Sequence, residues 1–296
     1  MAHSDRPAGL ITNKGLELLT FGTPNGILYL SSLISSSKVI SLLTYFVGLK
    51  ISILLEELKE TYGTEYTFQN IDIFQNVQKD PWFTKLGPNG RIPVLIDHDN
   101  GGYAIMEGVA ILNYLTRHYD PEHKFCFKDP LDTCTAEQWM SWQHGNLGPM
   151  QAQANFFYRF HPDRYAFSTQ RFVGETERLY GVLDTRLADR NYLAGPGGGK
   201  YSLADIAIWP FINASAVTGI ELENFPHVYK WWNRISERPA VQKGNMVPSG
   251  QEFPYGLKVL QRQAKEDPQG MEERERPLRE ALEKAQKEFG YVYQSP

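Results

Sequence analysis

Gly90-Arg91-Ile92-Pro93-Val94-Leu95-Ile96-Asp97, followed at residue 106 by Met106-Glu107-Gly108-Val109-Ala110-Ile111-Leu112, is the stretch from which the fold is read. Asn89-Gly90 is turn chemistry, and Val94-Leu95-Ile96 is a short apolar run that reads as a buried strand. Pro93 stands at the strand entrance, where the ladder needs no donor from it. Asp99-Asn100-Gly101-Gly102 makes a second turn, and Tyr103 to Met106 reads as the paired strand. Ile111, Leu112 and Leu115 then fall at helical spacing. Glu107 lies just before that helix, whose free N–H groups form an anion site.

Working outward, Leu16 to Phe21 reads as a first strand and Thr23-Pro24-Asn25-Gly26 as a turn. Ile51, Leu54, Leu55 and Leu58 place an amphipathic helix over Lys50 to Glu60. Tyr66 to Ile73 alternates like a strand. The order is strand, helix, strand, connection, two strands, helix. Residues 119–133 carry Pro121, Pro130 and mixed charge, and read as a linker. Helices follow over Ala136 to Gly145, Thr169 to Arg190 and Pro226 to Glu237. Ser202-Leu203-Ala204-Asp205 is a capping box with Asp for the usual Glu, opening the apolar helix that starts at Ile206.

Composition bounds the rest. With 296 residues, 42% of them hydrophobic and 13% aromatic, the chain has material for about two domains and a sizeable core. A net charge of −4 without a basic cluster argues against nucleic acid as a partner. Two cysteines, Cys126 and Cys134, lack metal or redox-pair spacing, so no metal site is expected and a reducing compartment fits. The first residues show no signal-peptide pattern, and a cytoplasmic protein is expected.

Arg-Ile-Pro-Val-Leu at residues 91–95, with Glu107 at the mouth of an Ala-Ile-Leu helix, resembles the thioredoxin-like half of glutathione S-transferases. Lys85-Leu86-Gly87-Pro88-Asn89-Gly90-Arg91 and the upstream Thr23-Pro24-Asn25-Gly26 narrow the resemblance. They are similar to the fungal and bacterial branch that holds nu-class disulfide-bond oxidoreductases and the yeast nitrogen-catabolite regulator. The likeness covers roughly residues 16–246. It implies a thioredoxin-like N-terminal domain over 1–118, the linker over 119–133, and an all-helical C-terminal domain over 134–250. A charged extension over 251–296 lies beyond the likeness and reads as a solvated helix packed by Leu278 and Leu282.

The resemblance also implies a site for glutathione as substrate. Glu107 would pair with the γ-glutamyl ammonium, and the Gly108 and Val109 N–H groups would hold the neighbouring carboxylate. Relatives have Ser or Thr after this Glu; Gly108 supplies no hydroxyl. The Ile92 backbone, before a cis Pro93, would meet the cysteinyl residue like an added strand. Gln78 and Arg91 would serve the glycyl end, and Lys50 matches a Lys found at the start of this helix in relatives. Thr23 and Asn25 would donate to the thiolate. Asn155 and Arg159 would face the second substrate, a small electrophile or a disulfide. Pro93, Ser202 and Asp205 are structural. The implied assembly is a homodimer, with no nucleic acid and no membrane, in fungal detoxification or secondary metabolism.

One block departs from the family pattern. Ile27 to Gly48 separates the Thr-Pro-Asn-Gly turn from Leu49-Lys50-Ile51-Ser52, and deleting it closes the pattern without a gap. A membrane span needs about 20 apolar residues, but Lys38 stands near the middle of this run among serines. A structureless loop of this length inside a compact domain is rare. Translation of a retained intron is the favoured reading of the three, because codons at both edges permit splice signals in one phase. An insertion there would lengthen the turn that carries Thr23 and Asn25.

Overall fold

The structure is a computed structural model that describes residues 9–21 and 36–290, with the backbone alone over 36–47. Thr23, Asn25 and the first part of the 27–48 block lie outside the described residues.

The first layer is a four-stranded mixed sheet. Strand β1 (Leu16–Thr20) pairs parallel with β2 (Tyr66–Asn70), which follows helix α1 (Ser36–Tyr62). After α2 (Pro81–Leu86), β3 (Val94–Asp97) pairs antiparallel with both β1 and β4 (Tyr103–Met106). The order is β2-β1-β3-β4, so the two fully buried strands are central. Helix α3 (Gly108–Tyr119) leaves β4 directly. Buried Asp97, at the end of β3, accepts the hydroxyls of Tyr114 at 2.7 Å and Tyr119 at 2.6 Å. These bonds fix α3 against the sheet, and thereby aim its N-terminus.

Several boundaries differ from the sequence expectation. The helix expected over Ala136 to Gly145 spans Pro130–Trp142 and starts inside the expected 119–133 linker, because the Asp129 carboxylate accepts the N–H groups of Leu131 and Asp132 and caps it there. The second strand stops at Asn70, because the Asp72 carboxylate accepts the N–H groups of Phe74 and Gln75 and caps a 3₁₀ turn. Helix α1 starts fourteen residues before Lys50, inside the 27–48 block. Residues 36–47 contain neither Pro nor Gly, and a nucleated helix propagates cheaply through such a run. Among the described residues no helix is long and apolar enough to cross a membrane.

The second layer is helical throughout: α4 (Pro130–Trp142), α5 (Gly148–Asn155), α6 (Ala166–Leu187), α7 (Leu203–Asn213), α8 (Pro226–Ser236), α9 (Pro239–Gly244), α10 (Leu257–Glu266) and α11 (Pro268–Phe289). The Ser202–Asp205 capping box is present, with the Asp205 carboxylate 3.0 Å from the Ser202 N–H. It also accepts from Leu193 N–H at 3.1 Å and Trp231 Nε1 at 2.8 Å, which joins three segments at one buried point.

Helix α1 is buried on both sides, so more of it is hidden than its apolar stripe predicts. Ser52 donates to the Gly244 carbonyl at 2.7 Å, and Glu57 accepts both arms of Arg238 at 2.6 and 2.7 Å. Helix α9 approaches so closely that a Cβ on Gly244 would lie 2.6 Å from Ile53 Cα. The two layers therefore meet through α1. The C-terminal extension is not merely solvated: α11 packs along α6, burying Leu282 and Ala285.

Candidate functional site

A cleft of about 230 Å³ opens where α1, the turn before β3 and the head of α3 face the second layer. It brings together Lys50, Arg91, Ile92, Pro93, Glu107, Gly108 and Asn155, which come from four separated places in the chain. Thr23 and Asn25 cannot be placed among them, since they lie outside the described residues.

The Ile92–Pro93 peptide is cis, and both residues line the cleft. Glu107 has φ +70°, ψ +119°, a backbone conformation uncommon for a side-chain-bearing residue and costing about 1–3 kcal/mol. It holds the turn between β4 and α3. Its Oε1 accepts from Asn89 Nδ2 at 3.3 Å, and its carbonyl accepts the Ile111 N–H at 2.9 Å. Among the described residues no side chain caps α3, and its first turn holds no acidic residue, so its leading N–H groups have no side-chain partner there.

Lys50 is 1% exposed. Its Nζ lies 3.5 Å from Gln143 Oε1 and 6.0 Å from the centre of the Phe211 ring. Burial lowers its pKa to about 8, against the pull of the Glu107 carboxylate in the other direction. A Cβ placed on Gly108 would stand 2.8 Å from that Nζ and closer still to Cε. The lysine fills the volume that a side chain at 108 would need.

The opposite wall is a single bent helical run. Between α4 and α5 it makes a π turn over Gln143–Leu147, and after α5 a second over Phe156–Phe160. Gln143, His144, Gln151, Ala152 and Asn155 face the cleft from it. The Asn155 Oδ1 accepts from Thr218 Oγ1 at 2.7 Å, while its buried Nδ2 has no partner among the described residues.

Two expected site residues stand elsewhere. Gln78 does not line the cleft; its Oε1 is buried near the Gly90 turn, without a partner among the described residues. Arg159 is turned away and fully engaged, donating to the Ala216 and Val217 carbonyls at 2.8 and 3.1 Å and to both oxygens of Glu275 at 2.8 Å. Conversely, Asn89, Gln143, His144, Gln151 and Phe211 belong to the cleft without any local motif to announce them. Among the described residues no cluster of His, Cys, Asp or Glu could hold a metal.

Comparison with known proteins agrees with this architecture. Residues 41–117 match the glutathione S-transferase N-terminal domain and residues 153–239 the glutathione S-transferase C-terminal domain. The disulfide-bond oxidoreductase YfcG of Escherichia coli is 36% identical over 197 residues, covering 65% of this chain and 87% of its own length. The glutathione S-transferase-like protein tpcF of Aspergillus fumigatus is 34% identical over 206 residues, covering 66% and 88%. Among solved structures, yeast Ure2p in complex with glutathione superposes with a TM-score of 0.66 at 29% identity, covering 79% of this chain and 94% of that one.

Proposed function

Since this chain belongs to the glutathione S-transferase family, in its Ure2p-like and nu-class-like branch, we propose that it binds glutathione in the cleft and uses the thiolate. The thiolate either attacks a small electrophile or reduces a disulfide; both follow from one bound, activated sulfur. One observation carries the reading. The Glu107 carboxylate, the uncapped head of α3 and the Lys50 ammonium face one small cavity, as the zwitterionic head of an amino acid requires.

In this reading Glu107 takes the γ-glutamyl ammonium, and the Ile92 backbone takes the cysteinyl unit. Arg91, exposed at the rim, and Gln78, reached by a shift of its loop, serve the glycyl end. Thr23 and Asn25 donate to the thiolate, and Asn155 faces the second substrate. The protein works as a cytoplasmic homodimer, and the 27–48 block is a retained intron absent from the active form. A non-catalytic glutathione-binding role is the second reading, carried by the likeness to the nitrogen regulation fragment of Ure2p.

Calorimetry with glutathione, on the full chain and on a chain lacking residues 27–48, tests binding. Conjugation and hydroxyethyl-disulfide reduction assays on both chains test catalysis. Micromolar to millimolar binding with turnover is expected, greater in the shortened chain. Binding without turnover in either chain would select the regulatory reading, and absence of binding would remove both.

A further inference from the structure

Two amides on the helical wall of the cleft are already committed within the protein. Gln151 donates from Nε2 to the Phe211 carbonyl at 2.8 Å and accepts the Tyr180 hydroxyl at 3.4 Å. Gln143 turns its Oε1 to Lys50. Asn155 differs from both. It is 1% exposed, its Oδ1 accepts the hydroxyl of fully buried Thr218, and its Nδ2 has no partner among the described residues. A buried donor without an acceptor is costly, and a chain that keeps one beside a cleft gains when a ligand completes it.

Thr218 is itself held from behind the cleft. It ends the 3₁₀ turn Ser215–Thr218, whose Ala216 and Val217 carbonyls accept from Arg159. Arg159 is clamped in turn by Glu275 of α11. So α11 fixes the arginine, the arginine fixes the turn, and Thr218 fixes which way the Asn155 amide faces. Helix α11 lies beyond residues 153–239, the part that the C-terminal family domain matches.

We propose that Asn155 Nδ2 donates to an oxygen of the second substrate and thereby selects electrophiles whose reacting carbon is conjugated to a carbonyl. Thr218, Arg159 and Glu275 are the positioning residues for that donor. The inference rests on the glutathione reading given above. In such a substrate the thiolate sulfur bonds to the β-carbon, the C=C electron pair shifts toward the carbonyl, and its oxygen takes up the negative charge. The Asn155 N–H meets that oxygen in a water-poor site, where a fixed donor stabilises developing charge most. The α-carbon then takes a proton from solvent, replacing the one the thiol released on becoming a thiolate, so no further reactant is consumed. An alkyl halide or a disulfide sends its charge to the leaving group and brings no carbonyl oxygen to Asn155.

The test compares S-(3-oxobutyl)glutathione, the adduct of an enone, with S-butylglutathione, which has the same chain length and lacks the carbonyl. Calorimetry is run on the full chain and its variants. The wild type is expected to bind the ketone roughly 10-fold more tightly, the range of one hydrogen bond to a buried donor. Asn155→Asp keeps an acceptor for Thr218 and removes the donor, so it should erase or reverse that preference; Asn155→Leu should erase it. Thr218→Val, which releases the amide, should weaken the preference, and Thr218→Ser, which keeps the hydroxyl, should retain it. A merely structural role for Thr218 would weaken both ligands alike. Equal affinities in the wild type, binding of glutathione but of neither conjugate, or a preference that survives both Asn155 variants overturns the inference and leaves the glutathione reading standing. Failure of the wild type to bind glutathione or either conjugate overturns both. Cooperative melting transitions show which variants are folded, and the wild-type comparison decides against the inference whether or not they are.

Discussion

Arg159 and Glu275 meet through two parallel 2.8 Å hydrogen bonds, and by them α11 is fastened to the second layer. The same guanidinium also holds the carbonyls of Ala216 and Val217, so it is a junction of three segments. Both side chains are mostly withdrawn from water, 12% and 21% exposed. Removing one partner leaves a charge without compensation. Glu275→Ala is expected to lower the unfolding free energy by about 2–4 kcal/mol, measured by urea titration, while glutathione affinity stays unchanged. Loss of turnover without loss of stability would restore Arg159 to the electrophile wall.

The second prediction separates stability from binding at Lys50. Its folded pKa lies near 8, below the 10.5 of the free side chain. The unfolded chain therefore holds the extra proton between these values. Stability rises as pH climbs through that window, and the burial penalty is fully present below pH 8. His144 and Arg91 line the same cleft, and Glu107 is the carboxylate that opposes the shift. Lys50→Met should stabilise the ligand-free protein at pH 7 by up to about 3 kcal/mol and flatten its stability between pH 8 and 10. Thermal melts across that range measure both effects. A destabilised variant would mean that the ammonium is satisfied within the protein.

The two cysteines should behave oppositely. Burial, and then the Asp120 carboxylate, push the Cys126 thiol up to about 12. Its sulfur lies 3.2 Å from His123 Nδ1 and 3.4 Å from Asp120 Oδ2. Cys134 is exposed. Iodoacetamide at pH 8 is expected to label Cys134 and spare Cys126, as read by mass spectrometry, because only the thiolate reacts. Replacing both by Ser should leave most glutathione-dependent activity of the shortened chain intact. Activity lost with the cysteines would make this a protein-thiol redox enzyme.

Asp205 offers a test of the fold alone. Burial raises its pKa to about 6, against the lowering effect of its four hydrogen bonds. Protonation is thus favoured by the folded state, and stability from this group falls as pH rises from about 4 through 6. Asp205→Ala strands the Ser202 and Leu193 N–H groups and the Trp231 indole, and should cost about 3–5 kcal/mol. Asp205→Asn should cost less and remove the pH dependence. Denaturant midpoints at pH 4.5 and 7.5 check both.

What could be read from the chain alone was local. The β3 and β4 strands were marked by Asn89-Gly90 and Gly101-Gly102, and they lie within a residue of the expected positions. The Ser202 box was visible because cap and partner are three residues apart. Glu107 was visible because it precedes an apolar helix, although its positive φ was not. Lys50 was picked out by likeness, but its burial depends on Gly108, Gln143 and Phe211, which are 58, 93 and 161 positions away. The engagement of Arg159 needed α11, which lies beyond the residues that the two family domains match. The backward growth of α1 into the 27–48 block was hidden because turn-like serines and apolar residues are mixed there without a clear period.

The two π turns make the cleft wall sensitive to counting. Each admits one residue more than an α-helical turn, so everything after it is rotated by about 100° relative to an unbroken helix. Gln151 and Asn155 look into the cleft because of the turn at Gln143–Leu147. Point substitutions along this wall change what it offers while leaving its direction alone. Loss of a single codon between Gly145 and Leu147 would instead swing the whole face aside. In a lineage of such proteins, insertions and deletions here would retune substrate choice in one step, where substitutions would do so gradually.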